Sequence, residues 1–451
     1  MTVARFERPM PGQATPVRFP AITRAALPNG LALWTIGHTT VPAFTATLLL
    51  PRGTVDDPPD RPGLASLTGD LVDEGAGSRD ALQLAEAFAQ MGTQIEVEVG
   101  PDACSISVTA LVRFLGPALH LMADVVMRPR LQAPDFARVR ELRLTRLRQL
   151  SRSASTIADR AYISAVFDTH AYGHGALGQT SALEAVTLDE TREFWRRAFG
   201  PRGATLSIVG DVTASDVSRT AAHIFAEWTG SGDDLEPAAA PRVRSDPRIL
   251  LVDKPGAAQS ELRIGHLGPP RDTPAYHALV VLNAVLGGQF TSRINRRLRE
   301  DKGVTYGART SFDFRRLAGT LSCETSVQGN ATASSAADIL EEFGTIGREP
   351  VPDEELSRAR ASLTRGYVRN FETAGQVARA AGQLAIYGLG DDVFDDFVPT
   401  VEAMTAAEVH AAAATHVRPA EATIVVVGDA ATCRESLEKL DRPVVLYTPE
   451  F

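Results

Sequence analysis

The sequence predicts an α+β protein made of two homologous halves, each a mostly antiparallel mixed sheet packed with helices. Three observations carry this. An apolar strand closed by Gly-Asp occurs twice, as ATLSIVGDVTASDV from Ala204 and ATIVVVGDAATCRE from Ala422, an offset of 422 − 204 = 218. A Thr-x-x-Glu pair precedes each strand, at Thr187–Glu190 and Thr405–Glu408, and 405 − 187 is again 218. In both pairs the Thr caps a helix N-terminus and the Glu reaches back to it. Pro134-Asp135 and Pro352-Asp353 each open an arginine-containing helical run, at 352 − 134 = 218. One spacing shared by three unlike features marks a duplication.

Taken in order, residues 1–20 are Pro-rich and read as an extended arm. ITRAALPNGLALWTIG alternates around Pro28-Asn29-Gly30, which predicts a hairpin. TQIEVEVG and CSISVTAL alternate strictly, as antiparallel strands with one wet face do. The first half is assigned to 21–229 and the second to 248–451. The Gly-, Pro-, Ala- and acid-rich stretch around 230–247 is the linker between them. Helices are expected on one face of each sheet.

In the second half, Thr273-Pro274 starts a helix that stops at Gly287-Gly288. FTSRINRRLRED forms another, with Phe290, Ile294 and Leu298 on one face. Gly303 ends it in the left-handed conformation. A strand follows in which Val304, Tyr306, Ala308, Thr310, Phe312 and Phe314 share the less polar face.

Composition excludes several classes. The net charge of −9 disfavours a general nucleic-acid binder, which needs a basic face. No apolar run is long enough to span a bilayer, and the N-terminus lacks the apolar core of a secretory signal, so a cytoplasmic chain without membrane contact is expected. Cys104, Cys323 and Cys433 are far apart, with no Cys-x-x-Cys pair for a zinc site or a disulfide framework. His170 and His174 lie in a loop-like stretch, Asp73-Glu74 reads as helix-end charge, and Ser66 has no nucleophile elbow.

The duplicated domain, Leu286-Gly287-Gly288, Ser292-Arg293, Arg299-x6-Tyr306 and the stretch Ala171 to Phe199 together resemble the pitrilysin/insulinase family of zinc peptidases, the inverzincins, over nearly the whole chain. The resemblance implies a pitrilysin-like α/β roll forming half of a clamshell. It implies that Arg299 and Tyr306 hold the scissile carbonyl oxygen, with Gly287 and Gly288 beside the substrate. The strand around Ile95 and Glu96 falls where family members add an extended peptide to a sheet edge. Here Glu96-Val97 stands in place of the family's Asn-Ala.

Active members carry His-x-x-Glu-His in the first domain. Matching GLASLTGDLVDEG to that motif puts Ser66 at the first His, Gly69 at the Glu and Asp70 at the second His. The third ligand, a Glu, would fall near Thr145 and Arg146. Zinc hydrolysis needs two imidazoles one turn apart, a carboxylate and a Glu as base, so no metal is expected on this chain. Two-chain bacterial members pair a zinc-bearing subunit with a metal-free one that lends the Arg and Tyr. The resemblance therefore implies a heterodimer with zinc on the homologous partner and a peptide or small protein as substrate. The alternative is an inert binding or scaffold subunit, like the α subunit of mitochondrial processing peptidase or the core proteins of a respiratory complex.

Overall fold

In the computed structural model, which describes residues 16–230, 238–242 and 247–451, each repeated apolar strand lies inside a six-stranded sheet. The first sheet contains β1 (Ile22–Ala26), β2 (Ala32–Gly37), β3 (Ala43–Leu50), β4 (Ile95–Val99), β5 (Cys104–Leu111) and β6 (Thr205–Gly210), in the order β1-β2-β6-β3-β5-β4. The second contains β7 (Ile249–Asp253), β8 (Gln259–Gly268), β9 (Thr305–Asp313), β10 (Gly319–Gln328), β11 (Thr423–Gly428) and β12 (Val444–Leu446), in the order β12-β7-β11-β8-β10-β9. Apart from the outermost strand the two orders coincide. β2–β6 and β7–β11 are the parallel pairs, and the other shared pairs are antiparallel. β1 joins β2 as the expected hairpin, whereas β12 comes from the end of the chain and runs parallel to β7.

Helices α1 (Leu64–Val72), α2 (Leu115–Met127) and α3 (Ala133–Leu150) share one core with the first sheet. Helix α4 (Ala154–Phe167) does not; it crosses to the second sheet and packs Ala158, Ala161 and Tyr162 against Val425 and Val427 of β11. The capping box at Thr187 opens α5 (Leu188–Ala198). In the second half, α6 (Tyr276–Leu286), α7 (Thr332–Arg348) and α8 (Asp353–Thr364) cover their own sheet. Helix α9 (Ala374–Tyr387) crosses back, laying Val377, Ala378 and Ala381 on Ile36 and Val209 of the first sheet. The second capping box, at Thr405, opens α10 (Ala406–His416). Each sheet is thus covered on both faces, not one, with an exchanged helix on the second face. That is why β6 and β11 are apolar at successive positions: strands buried on both sides lose the wet-face alternation.

The exchange is bonded as well as packed. The Tyr162 hydroxyl of α4 donates to the Leu321 carbonyl of β10 at 2.7 Å. Arg263 of β8 reaches Asp159 at 2.6 Å and Ser155 at 2.9 Å, both on α4. A Cβ on Gly265 would stand 1.8 Å from the Leu321 carbonyl oxygen, so only glycine admits this approach. Tyr162→Phe is expected to cost about 1–2 kcal/mol, the penalty of leaving a buried acceptor without its donor. In urea the midpoint should fall with the slope unchanged.

His266 makes a pH-sensitive link within the second half. Its Nδ1 donates to the Leu267 carbonyl at 2.8 Å, and its Nε2 accepts from the Arg418 backbone N–H at 2.9 Å. That pattern needs the neutral ring, and burial lowers its pKa to about 4. The unfolded chain, with an ordinary histidine near 6.5, takes up the proton first. Stability is therefore complete above about pH 6.5 and falls as pH drops toward about 4, by up to about 3 kcal/mol. Asp57, pushed up to about 7 by burial, titrates with the opposite sign. Comparing wild type with His266→Gln by denaturant unfolding at neutral and acid pH isolates the histidine, and the variant should show the shallower loss.

Of the N-terminal arm, residues 1–15 lie outside the described residues. Val17 is buried in the second core, and Phe19 packs between Phe371 and Phe394. Most of the expected linker, residues 231–237 and 243–246, also lies outside them. Among the described residues no helix is long and apolar enough to cross a membrane.

Candidate functional site

Helix α1 starts at Gly63, whose φ of 96° and 2.6 Å approach to Gly178 (measured to an added Cβ) demand glycine. Asp57 anchors this end, accepting the N–H groups of Gly63 at 2.7 Å and Ala65 at 2.6 Å. Ser66, Gly69 and Asp70 then follow on the helix, and a guanidinium lies against Ser66 and Asp70, the two positions matched to the histidines. Arg143 of α3 donates to Asp70 at 2.6 Å, to the Ser66 hydroxyl, and to the Gly63 carbonyl at 3.3 Å. Its side chain is 5% exposed, against 44% for Asp70.

Arg143, rather than Thr145 or Arg146, therefore stands opposite the degenerate motif. Phe136, Val139, Arg143 and Leu147 form the buried stripe of α3, and a residue two places on from Arg143 points to the other side. Gly69 is closed in too: a Cβ there would meet Val99 of β4 at 2.5 Å. A hydroxyl and one carboxylate already paired with an arginine offer zinc no ligand set, and Gly69 offers no base. Among the described residues no cluster of three or more His, Cys, Asp or Glu could hold a metal ion.

In the second half, the helix expected from Phe290 begins only at Arg293 and widens to π geometry over Arg296–Asp301. Likewise α6 starts at Tyr276, two residues later than Pro274 implied. Ile294 and Leu298 are buried as expected, whereas Phe290 lies before the helix and is 63% exposed. Arg293 and Arg296 pair with Glu355, and Arg297 pairs with Asp338, Glu341 and Glu342. Arg299 has no such partner among the described residues. Its guanidinium carbon lies 3.9 Å from the centre of the Phe290 ring and 5.5 Å from that of Tyr306, and its Nη1 has no hydrogen-bond acceptor.

Gly303 adopts the expected left-handed φ of 64°. The strand after it departs from simple alternation. A β-bulge between Thr305 and Ala308 breaks the register with β10. Thr305 stabilises it by donating to the Ser326 carbonyl at 2.6 Å and accepting from the Gly307 N–H at 3.1 Å. Bulges re-aim side chains, and this one turns Tyr306 outward to 92% exposure instead of onto the apolar face. Asn295 braces the bulge by accepting the Ala308 N–H at 3.0 Å. Gly287 and Gly288 pack against Thr310 and Asn283, with no room for a Cβ at either. Tyr306, Phe290 and both glycines line one open cleft of about 510 Å³. Tyr306, Gly287 and Gly288 are thus brought to one cleft, with Phe290, which was not expected there; Arg299 does not line it but stands behind it, against the Phe290 and Tyr306 rings.

β4, carrying Ile95 and Glu96, is an edge strand of the first sheet, opposite β1, as β9, carrying Tyr306, is of the second, opposite β12. Ile95, Val97 and Val99 face the core, and Glu96 and Glu98 are exposed. The histidines serve structure: His170 contacts the Ala239 carbonyl at 2.8 Å, and His174 lies 3.6 Å from Asp57. Glu74 is paired with Arg138, and burial pushes Asp73 up to about 7. All three cysteines are buried thiols.

Residues 35–180 match the family described as insulinase (peptidase family M16), and residues 185–363 match the peptidase M16 inactive domain. An uncharacterized zinc protease of Mycobacterium tuberculosis is 24% identical over 411 residues, 90% of this chain and 93% of the relative. One from Bacillus subtilis is 20% identical over 352 residues, covering 78% and 85%. A crystal structure of a peptidase M16 inactive domain from Pseudomonas fluorescens superposes with a TM-score of 0.85 at 22% identity, over 96% of this chain and all of that one. A protease from Helicobacter pylori gives 0.85 at 16% identity, covering 90% and 99%. With both halves of the duplication matched, this chain belongs to the M16, or insulinase, family of peptidases.

Proposed function

We propose that this chain is the metal-free subunit of a two-chain zinc peptidase that cuts peptides or small proteins. Its first half is closed to metal by Arg143 and Val99. Its second half lends Arg299 and Tyr306 to the partner's hydrolytic centre. The observation that carries the reading is Arg299. Alone among the arginines at 293, 296, 297 and 299 it lacks a carboxylate, and it is stacked between two exposed rings.

The chemistry follows from the donors. A phenol O–H and a guanidinium N–H, both free of internal acceptors, can converge on one peptide carbonyl oxygen and stabilise the charge that grows there. The π-stack fixes the guanidinium while leaving its N–H groups to donate. The zinc would sit on the partner, where it supplies the activated water. An inert scaffold subunit accounts for Arg143 but gives no role to an unpaired Arg299.

The test is to purify the chain alone and together with a homologue bearing His-x-x-Glu-His, then assay peptide cleavage. The pair should cleave and this chain alone should not. Cleavage by the isolated chain, or no gain over the zinc-bearing homologue by itself, overturns the proposal.

A further inference from the structure

A second cavity, of about 440 Å³, shares no residue with the cleft at Tyr306. It opens between α6, α9 and the segments around Tyr367 and Phe397. Its walls are aromatic. Tyr367 stacks on Phe397 with centroids 4.2 Å apart at 11°, and Phe371 meets Tyr367 edge-on at 5.4 Å. Tyr276 and Phe394 add to the rings, Asn370, Gln376 and Gln383 bring amides, and Arg271 and Arg379 also line the cavity; no Asp or Glu takes part.

Arg271 is the anomaly. It is 7% exposed. The other buried arginines each hold an aspartate, Arg143 on Asp70 and Arg263 on Asp159. Arg271 has only the Tyr276 ring, 3.5 Å from its guanidinium carbon. Among the described residues its side chain finds no carboxylate and no hydrogen-bond acceptor, and the hydroxyls of Tyr276 and Tyr367 are likewise without partners. The Arg271 side-chain nitrogens are not among the buried atoms that lack a hydrogen bond, so the guanidinium opens into the cavity with no carboxylate beside it, and an anionic guest can supply the counter-charge there. Two guanidiniums and two phenols offer donors in excess, and a guanidinium fork matches a carboxylate. The rings favour a ligand with apolar surface over a bare inorganic anion, because their faces are left uncovered by the anion alone. The volume suits a ligand the size of one or two residues.

We propose that this cavity binds an aromatic or branched apolar carboxylate, its carboxylate on Arg271 and its body against the rings. Two sources share that chemistry: a small free acid, and the C-terminal residue of a peptide. The site is independent of Arg299 and Tyr306, so it stands or falls separately from their role.

The test is calorimetric titration of the full chain with 3-phenylpropionate, its neutral counterpart 3-phenylpropanol, and acetate. The acid should bind, the alcohol roughly tenfold or more weakly, and acetate weaker still. Arg271→Met should abolish the preference for acid over alcohol, while the unliganded variant melts close to wild type because the side chain makes no internal ion pair to lose. Arg379→Met, at an exposed position, should fold normally and lose a few-fold in affinity. Acetyl-Ala-Ala-Phe as free acid and as amide separates the sources. Tighter binding of the peptide acid than of 3-phenylpropionate assigns a peptide terminus, and exclusion of the peptide assigns a small acid. No binding at millimolar concentration, equal affinity for acid and alcohol, or undiminished affinity in folded Arg271→Met overturns the proposal.

Discussion

Tyr306→Phe is expected to lower kcat of the two-chain enzyme by about 10²–10³-fold, the usual consequence of deleting one donor to a developing oxyanion. KM should change little, because the hydroxyl is engaged chiefly in the transition state. Tyr306 is 92% exposed, so folding should be untouched. Arg299→Ala should cost a similar factor. The double variant should lose less than the product, since both donors act on one oxygen. Phe290→Leu removes the ring 3.9 Å from Arg299 and should cost a smaller factor, roughly 3–10-fold, in keeping with a cation–π contact of about 1 kcal/mol. An unchanged kcat in Tyr306→Phe, with assembly confirmed by gel filtration, would remove the tyrosine from the mechanism.

Restoring the family's motif in the first half is expected to damage the fold without creating a metal site. Gly69→Glu places a Cβ 2.5 Å from Val99 and brings a carboxylate to a buried position. Overpacking typically costs about 1–3 kcal/mol, and a buried unpaired charge adds to it. A total of about 3–5 kcal/mol corresponds to a melting temperature lower by roughly 5–10 °C. Gly69→Ala is the control: its gain of about 1 kcal/mol in helix propensity offsets part of the clash. Ser66→His, Gly69→Glu and Asp70→His combined should take up no zinc by elemental analysis, because Arg143 still lies against positions 66 and 70. Stoichiometric zinc in that triple variant would show that Arg143 yields readily.

Much of this was legible in the chain, and the rest was hidden for identifiable reasons. The 218-residue spacing revealed the duplication because the capping boxes at Thr187 and Thr405 and the strands after them depend on local sequence. Ser66 and Asp70 stand directly in the sequence where the two imidazoles would be, and Gly69 where the base would be. Arg143 was missed because the ligand position was counted by spacing alone; the inward stripe Val139, Arg143, Leu147 held the information. Tyr306 was assigned to the wrong face because strict alternation fails at a bulge, and the bulge depends on Thr305 and Asn295, the latter a tertiary contact that no period reports. The helix exchange was foreshadowed by the unbroken apolar run Ile424, Val425, Val426 and Val427 of β11, but periodicity cannot say which helix covers a face.

That exchange has a consequence for how the chain is made. When β6 leaves the ribosome, the side of the first sheet that carries Ile36 and Val209 still lacks its cover, because α9 begins 374 − 210 = 164 residues later. At about 5–20 residues per second the delay is roughly 8–33 s. Throughout that interval the nascent first half shows a greasy sheet surface to water or to a chaperone, and its counterpart must be finished before either is quiet. Truncation anywhere before Ala374 therefore yields a sticky product rather than a smaller stable domain.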